Sequence, residues 1–325
     1  MSDAYGPMRL PVPARLAARA RQIRDGRLVA PVPRDAATVI LLRPGADQPW
    51  EPGTSPEPGP SPEMGTSPGA GAGRPRAEVY MLRRRRTMAF APGAYVFPGG
   101  SVDDRDVESG HGWSGPAPAQ FAPLLGLPPG PAAALVRAAV RETFEECGVL
   151  LAGPSPDAVA AGTSGPSWEA DRQALADGAL SLAQLLIRRG LVLRADLLIP
   201  WSRWITPEAE QRRYDARFFV AALPAGQQAR GGTGEADEAA WLRPGGAVEA
   251  AAAGRLALLP PTAITLRELA AYPDVPAILA ARRRISPRRP RVVLAEGPGD
   301  TGDVAARDGE EAAAVLVIPD VEDGE

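Results

Sequence analysis

Residues 141–149 read Arg-Glu-Thr-Phe-Glu-Glu-Cys-Gly-Val and carry the most informative pattern of the chain. This stretch ends a longer run, residues 132–147, whose apolar side chains recur at helical spacing. Gly148 is suited to end this helix, because glycine readily adopts the left-handed conformation that follows a helix C-terminus. The sequence therefore predicts a helix that stops at Gly148 and buries one apolar face.

Three glutamates of this helix, Glu142, Glu145 and Glu146, stand at i, i+3 and i+4 and so share one face. Their carboxylates repel one another unless a cation lies among them, and oxygen ligands at this spacing suit Mg²⁺ or Mn²⁺ better than zinc. Arg141, one turn before Glu145, can orient a carboxylate through a charge-assisted hydrogen bond. The upstream turn at residues 97–100, Phe-Pro-Gly-Gly, lets the backbone approach a ligand closely. These features favour a metal site over the alternative, an acidic face in solvent.

The composition excludes several classes of active site. The 325 residues are 45% hydrophobic and 23% charged, as in ordinary globular proteins, and the net charge of −3 gives no global attraction to nucleic acid or to an anionic membrane. A single histidine, His111, and the absence of lysine exclude multi-histidine metal sites and Schiff-base chemistry, and they disfavour a nucleophile–histidine pair. We expect His111 to be a solvated loop residue. Carboxylates with a hard metal ion are the tools that remain.

The single cysteine, Cys147, excludes an internal disulfide and any cysteine-based zinc site, and it suits a reducing compartment. Its place on the apolar face of the helix predicts a core residue. No apolar run approaches the roughly 18 residues of a membrane span, and no hydrophobic signal-peptide core is evident. We therefore expect a cytoplasmic protein with neither a membrane nor a nucleic-acid partner.

Composition divides the chain into three parts. Residues 1–34 are predicted to be an N-terminal extension with a short helix, residues 35–285 the main domain, and residues 286–325 a C-terminal extension with a hairpin. Within the main domain, residues 44–76 are rich in Pro, Gly, Ser and Thr, which predicts a disordered insertion in a hairpin. Residues 107–130 are again rich in glycine and proline and predict a second, looped insertion.

Apolar periodicity predicts strands and helices that are mixed without strict β-α-β alternation. The predicted strands are residues 36–43, 78–83, 197–205, 216–223 and 239–242, with a terminal hairpin of residues 291–295 and 313–318. Besides residues 132–147, helices are predicted at residues 15–27, 168–190, 246–254, 261–271 and 276–284, and a loop at residues 153–166.

Gly100, five residues, Asp106 and then residues 141–149 resemble the Nudix box, Gly-x5-Glu-x7-Arg-Glu-U-x-Glu-Glu-x-Gly-U, in which U is apolar. The second half matches at every defined position except that Thr143 stands at the first U. In the first half, Asp106 replaces a glutamate, with Asp103 as an alternative alignment, and 34 residues stand in place of seven. The resemblance implies an α/β fold, the Nudix-type α/β/α sandwich with a mixed sheet between helices, here with loop insertions.

The long insertion inside the box is characteristic of a branch that resembles acyl-coenzyme A diphosphatases. Residues 97–103, 149–151, 201–208 and 212–224 resemble the same branch, so that the similarity covers roughly residues 35–280. It implies metal-dependent hydrolysis of a pyrophosphate linkage, with coenzyme A or acyl-coenzyme A giving 3′,5′-ADP and (acyl-)4′-phosphopantetheine. Alternatives are a Nudix diphosphatase acting on ADP-ribose, dinucleotides or nucleotide sugars, and a non-catalytic Nudix-fold binding or regulatory module.

The resemblance also implies roles for individual residues. Glu145 and Glu146 are the first-choice ligands of Mg²⁺ or Mn²⁺, Glu142 is a ligand and a candidate base, and the Gly100 carbonyl is a further ligand. Arg141 assists catalysis by orienting the carboxylates. Glu238 is a further candidate ligand or base, with an acidic loop in solvent as the alternative.

Substrate binding has its own set of candidates. Arginines can clamp phosphates, tryptophan can stack on adenine, and a glycine admits close approach of the backbone. Ordinary packing or surface charge is the alternative for each arginine and for the tryptophan. The expected partner is a small nucleoside diphosphate-linked substrate, with a coenzyme A ester favoured, and a homodimer is left open. The candidates are Gly99, Arg84, Arg213, Arg217 and Trp204.

Overall fold

The computed structural model describes residues 8–45, 76–88, 91–110, 112–231, 236–295 and 314–319. In these ranges no helix is long and apolar enough to span a membrane. The strands are β1 (Met8–Pro11), β2 (Arg34–Pro44), β3 (Ala77–Arg84), β4 (Ala94–Val96), β5 (Gly99–Ser101), β6 (Gly112–Ser114), β7 (Ala152–Gly153), β8 (Val192–Arg194), β9 (Ile199–Ile205), β10 (Tyr214–Ala222), β11 (Ala236–Leu242), β12 (Ala257–Leu258), β13 (Pro287–Arg288), β14 (Arg291–Leu294) and β15 (Ala314–Ile318). The α-helices are α1 (Ala14–Arg24), α2 (Pro118–Leu125), α3 (Pro129–Cys147), α4 (Pro166–Ala176), α5 (Leu182–Arg189), α6 (Pro244–Ala252), α7 (Pro260–Ala270) and α8 (Val275–Ala280).

The chain divides into two compact units. The terminal unit comprises Met1–Ala36, Ser202–Arg217 and Arg284–Glu325, and the central unit comprises Ala37–Trp201 and Phe218–Arg283. The helix that carries the three glutamates, which we call the acidic helix, belongs to the central unit. So does the Phe-Pro-Gly-Gly turn at residues 97–100, which we call the glycine turn. The domain boundaries placed after residues 34 and 285 stay predictions.

The central unit is built on a mixed sheet, as the fold class requires. Within this unit the strands follow the order β12-β4-β3-β2-β10, with β11 also paired to β3 and β5 to β2. Strands β2 and β3 pair antiparallel, with Leu42 opposite Val79, which confirms the predicted hairpin. Strand β12 instead runs parallel to β4. The disorder predicted for residues 44–76 falls almost wholly outside the described residues.

Helix α3 packs its apolar face on this sheet. Alternate residues of β2, β3 and β10 point to one side and join the buried cluster that contains α3, because successive strand residues face opposite sides. Full burial of a Val, Leu or Phe side chain contributes about 1.5–3 kcal/mol. Leu135, Val140 and Phe144 are all fully buried. The helix ends as predicted, since Gly148 adopts the left-handed conformation with φ of 69°.

Two predictions about the central unit were wrong, one for an insertion and one for a helix. The stretch 107–130 is not simply a loop, because it contains β6, α2 and the first residues of α3. Phe121 and Leu125, one turn apart on α2, are buried and supply the apolar stripe that anchors this short helix. The single helix predicted at residues 168–190 is two helices, α4 and α5. Gly178 lies between the two helices in the left-handed conformation, with φ of 75°, which interrupts the helical path of the chain.

The terminal unit contains a second, three-stranded sheet with the order β1-β15-β14. Strands β14 and β15 pair antiparallel, with Arg291 opposite Val317, which confirms the predicted C-terminal hairpin. Strand β1 pairs antiparallel with the other edge of β15. Helix α1 confirms the predicted N-terminal helix.

Candidate active site

The glycine turn lies directly against the acidic face of α3. The backbone N–H of Gly99 donates to Oε2 of Glu146 at 2.9 Å. A Cβ atom on Gly100 would collide with the carboxylate of Glu142, and one on Gly99 would collide with the backbone of β2. Gly99 therefore requires glycine, because a side chain there would meet the backbone of β2, whereas a side chain at Gly100 would displace the Glu142 carboxylate.

Arg141 is the hub of the site. Its Nε and Nη2 atoms donate to the two carboxylate oxygens of Asp106, each at 2.9 Å. Nη1 donates to Oε1 of Glu142 at 2.8 Å and, more weakly, to Glu145 at 3.3 Å. Nη2 also reaches the carbonyl of Ser101 at 3.0 Å. One buried guanidinium thus ties together β5, the turn at residues 104–107 and the acidic face of α3.

Asp106 has a defined structural role that the sequence pattern did not reveal. Only 1% of Asp106 is exposed, and its carboxylate receives the two-pronged hydrogen bonds that suit an arginine. Oδ2 of Asp106 also accepts the backbone N–H of Asp103 at 2.8 Å. Asp103 instead pairs with Arg105, at 2.9 Å from Nε. The geometry therefore favours Asp106 over Asp103 as the partner of Arg141.

The carboxylates of α3 lie in an environment that disfavours negative charge. Burial raises the pKa of Glu142 to about 7; Arg141 opposes the rise and Glu145 adds to it. Burial likewise raises the pKa of Glu145, again opposed by Arg141. A divalent cation at this place would relieve the charge repulsion.

Comparison with known proteins shows what the chain is similar to. The sequence model of the NUDT19 Nudix domain matches residues 126–269, which contain α3. The chain is 31% identical over 196 residues to a putative nudix hydrolase 7 of Caenorhabditis elegans, covering 60% of this chain and 57% of the relative. It is 32% identical over 183 residues to an acyl-coenzyme A diphosphatase NUDT19 of Gallus gallus, covering 45% of this chain and 48% of the relative. The crystal structure of a NUDIX hydrolase from Alicyclobacillus acidocaldarius aligns with a TM-score of 0.55 and 25% identity, covering 78% of this chain and 98% of that one.

Residues 126–269 are therefore similar to a Nudix domain, and the fold is similar to that of a Nudix hydrolase. By this similarity α3 corresponds to the Nudix helix, and we use that name for it; β6, α2 and the start of α3 lie between the two halves of the box-like motif. The chain spans about half the length of the curated relatives it matches, 57% and 48%.

A Nudix site implies a divalent cation, and the donor set here fits one. Glu142, Glu145 and Glu146 offer only oxygen ligands, as Mg²⁺ and Mn²⁺ prefer. The absence of a side chain at Gly100 leaves space beside the Glu142 carboxylate that a Cβ atom would fill. In the described ranges, no three acidic, histidine or cysteine side chains form a ready-made metal-binding group. The carboxylates are instead engaged by Arg141 and by the N–H of Gly99.

Glu238, the further candidate ligand of the Nudix site, has other partners. Its Oε2 lies 2.7 Å from Nη1 of Arg83 in an ion pair between β11 and β3. Asp237 accepts from Nε of the same arginine, also at 2.7 Å. Glu238 additionally hydrogen-bonds the Tyr95 hydroxyl, which contributes to raising the pKa of Tyr95 to about 12, although burial is the larger cause. These contacts make Glu238 a less suitable ligand than the glutamates of the Nudix helix.

The predicted substrate-binding residues are divided between the two units. Arg84 ends β3 and is partly exposed. In the terminal unit, Arg213 donates to the carbonyls of Thr206 and Pro31 at 3.1 and 2.7 Å. Trp204 is buried.

Arg217 is even more enclosed, because only 1% of it is exposed. It forms ion pairs with Asp35 and Asp215. The bonding of Arg213 and Arg217 favours structural roles for both, and the whole substrate-binding set stays a prediction.

Two single-residue predictions remain, for Cys147 and His111. Cys147 is buried and its Sγ donates to the carbonyl of Thr143 at 2.9 Å, which confirms it as a core residue. The prediction for His111 lies outside the described residues. Sequence reasoning also missed Arg172, which donates to the backbone of Glu145 at 2.9 Å. No local motif marks Arg172, because its partner is 27 residues away.

Proposed function

We propose that this chain is a divalent-metal-dependent hydrolase that cleaves the pyrophosphate linkage of coenzyme A or acyl-coenzyme A to 3′,5′-ADP and (acyl-)4′-phosphopantetheine. One observation carries the proposal: Arg141, Asp106 and the glycine turn gather the glutamates of the Nudix helix at one place. The substrate is inferred from the relatives named acyl-coenzyme A diphosphatases and from the insertion that divides the box.

Glu142, Glu145 and Glu146, together with the Gly100 carbonyl, are the residues that would hold Mg²⁺ or Mn²⁺. When bound, such an ion neutralises phosphate charge and lowers the pKa of a coordinated water. Arg141 orients the carboxylates of Glu142 and Glu145 through hydrogen bonds, and Asp106 balances the positive charge of Arg141. Water attacks one phosphorus, the bridging P–O bond breaks, and the bridging oxygen leaves with the electron pair.

Glu142 is our candidate base for that attack. Arg141 donates to its Oε1, which leaves Oε2 to accept the proton of the attacking water. The carboxylate is mostly buried, so that bulk water has restricted access to it. Because Arg141 holds Oε1, the carboxylate stays oriented while Oε2 accepts the proton.

The substrate itself would be held by backbone and arginine groups. The glycine turn admits close approach of a phosphate to the backbone, since neither Gly99 nor Gly100 carries a side chain. Arg84 is the candidate cation for a phosphate in the central unit. We retain a cytoplasmic location, a homodimer and the substrate roles of Arg213, Arg217 and Trp204 only as predictions.

The test is a substrate panel with purified full-length chain. Coenzyme A, acyl-coenzyme A, ADP-ribose, NADH and diadenosine polyphosphates are incubated with Mg²⁺ or Mn²⁺, and products are separated by chromatography. Release of 3′,5′-ADP from coenzyme A substrates is expected. Turnover confined to the other compounds would overturn the substrate assignment, and no turnover on any would favour a non-catalytic Nudix module.

A further inference from the structure

The C-terminal end of α3 carries two of the proposed metal ligands, and groups outside the helix hold its last turn. A helix leaves its last four backbone carbonyls without partners inside the helix. The N–H of Gly148 reaches the carbonyl of Phe144 at 2.9 Å, and the backbone N–H of Arg230 reaches that of Cys147 at 2.8 Å. Backbone donors therefore satisfy two of these carbonyls.

The carbonyl of Glu145 is held differently, by a charged side chain from another helix. Arg172 of α4 donates from Nη1 to this oxygen at 2.9 Å. Only 8% of Arg172 is exposed. Its Nε and Nη2 atoms donate to the carboxylate of Glu169 at 3.1 and 2.5 Å. One guanidinium thus bonds the backbone of a proposed ligand while its charge is balanced within α4.

Helix α4 is itself anchored to α3, so Arg172 acts from a fixed position. Trp168 of α4 packs edge-on against Phe144 of α3, with ring centroids 6.0 Å apart and planes at 78°. The guanidinium of Arg189, on α5, stacks on the Trp168 ring, 4.1 Å from its centroid. Such aromatic and cation–π contacts add directional preference to apolar burial.

We propose that Arg172 is a positioning residue of the metal site. By holding the carbonyl of Glu145, it fixes the last turn of α3 and so directs the carboxylates of Glu145 and Glu146 toward the cation. The inference rests on the proposed metal-dependent function and adds a residue that lies outside the Nudix box. Groups that orient a metal ligand without touching the metal typically change metal affinity or activity about 10–100-fold when removed.

The positive charge of Arg172 opposes cation binding, and the experiment must separate this effect from that of positioning. A guanidinium near the site repels a divalent cation, although the ion pair with Glu169 reduces that repulsion. Removing Arg172 therefore weakens binding if positioning dominates and strengthens it if charge dominates. Glu169→Gln is the matched control, because it leaves the Arg172 bond to the backbone available while freeing the charge.

The experiment titrates Mn²⁺ into the full chain by calorimetry for the wild type, Arg172→Gln, Arg172→Lys and Glu169→Gln, with circular dichroism and thermal melting to establish folding. Arg172→Gln is expected to weaken Mn²⁺ binding about tenfold. Arg172→Lys is expected to lose part of the affinity, because a single ammonium cannot bond Glu169 and the carbonyl as the planar fork does. Glu169→Gln should weaken binding less than either.

Kinetics provide the second readout. With Arg172→Gln, raising the Mn²⁺ concentration should restore kcat, while the Mn²⁺ midpoint of activation stays shifted upward. Wild-type or tighter Mn²⁺ binding in folded Arg172→Gln overturns the proposal, and if that variant does not fold, wild-type binding in Arg172→Lys does so. Failure of the wild type itself to bind Mn²⁺ would instead remove the proposed metal-dependent function.

Discussion

The central and terminal units each contain an enclosed arginine held by carboxylates, and the two clusters differ in charge balance. In the central unit, Arg141 faces Asp106, Glu142 and Glu145, so that one positive charge meets three carboxylates. We call these four residues the acidic cluster. If all are ionised, the excess is two negative charges, three minus one, before Glu146 is added.

The terminal unit contains the contrasting case. Arg203 donates to both oxygens of Asp215 at 2.9 and 2.7 Å, and Arg217 pairs with Asp215 and with Asp35. Two arginines thus meet two carboxylates, and we call these four residues the balanced cluster. Its charges neutralise one another without a further ion.

The two clusters differ in net charge, and we infer that an excess of negative charge, rather than the presence of charged residues, marks a site that needs a cation. Burial raises the pKa of Glu142, Arg141 opposes that rise, and the neighbouring Glu145 carboxylate adds to it. The balanced cluster needs no further cation, because its two arginines and two aspartates neutralise one another. Four substitutions break or sharpen this contrast.

The largest expected effect is on stability. Asp106→Ala removes a carboxylate that is paired with Arg141 in a buried setting, and breaking a buried pair from one side typically costs about 3–5 kcal/mol. The free energy of unfolding, from urea titration, should fall by that order. Asp104→Ala changes an exposed aspartate of the same turn and serves as the control. An equally small loss in both variants would contradict the role of Asp106.

Glu146→Gln should reduce turnover next most strongly. Loss of a proposed ligand should lower kcat by more than about 100-fold, since even partners of ligands typically contribute 10–100-fold. Steady-state product release measures the effect, and circular dichroism should show an unchanged fold. Glu249→Gln, on the exposed side of α6, is the matched control and should behave as wild type. Near-normal activity of Glu146→Gln would mean that the metal site is misplaced.

Gly100→Ala tests how closely β5 must approach the Nudix helix. The new Cβ atom collides with the Glu142 carboxylate and should displace it, lowering kcat about 10–100-fold. Gly130→Ala is the control, because nothing lies within 4 Å of a Cβ atom there, and it should be neutral or stabilising by about 0.5 kcal/mol in a helix. Equal activity of the two variants would contradict the close-approach argument.

The smallest effect is expected in the balanced cluster. Asp35 is 41% exposed, and a pair of this kind contributes about 0–1 kcal/mol. Asp35→Asn should therefore change the urea midpoint only slightly and leave kcat unaltered when measured in parallel. A loss of turnover comparable to that of Glu146→Gln would show that the balanced cluster takes part in function.

Much of the fold could be predicted from local pattern. The hairpin of β2 and β3 and the end of α3 at Gly148 follow from periodicity and glycine conformation, which are properties of neighbouring residues. The insertion was mispredicted because composition outweighed two apolar residues, Phe121 and Leu125, which are buried where α2 packs against α3. A rich content of glycine and proline does not prevent a short helix when tertiary packing supplies its burial.

The candidate site was only partly accessible from sequence. The spacing of the glutamates and of Arg141 placed them on one helix face, and the structure gives the expected contact between Arg141 and Glu145. The pairing of Arg141 with Asp106 spans 35 residues, and that of Arg172 with Glu145 spans 27. Such contacts depend on how separate elements pack, which no local spacing encodes.

Direct Mn²⁺ binding tests the central claim that the acidic cluster and Glu146 form a cation site. Calorimetric titration of the wild type is compared with the double variant Glu145→Gln/Glu146→Gln, both shown to be folded by circular dichroism. The account predicts saturable binding to the wild type and its loss in the double variant. Equal binding by both proteins, or none by either, would contradict it.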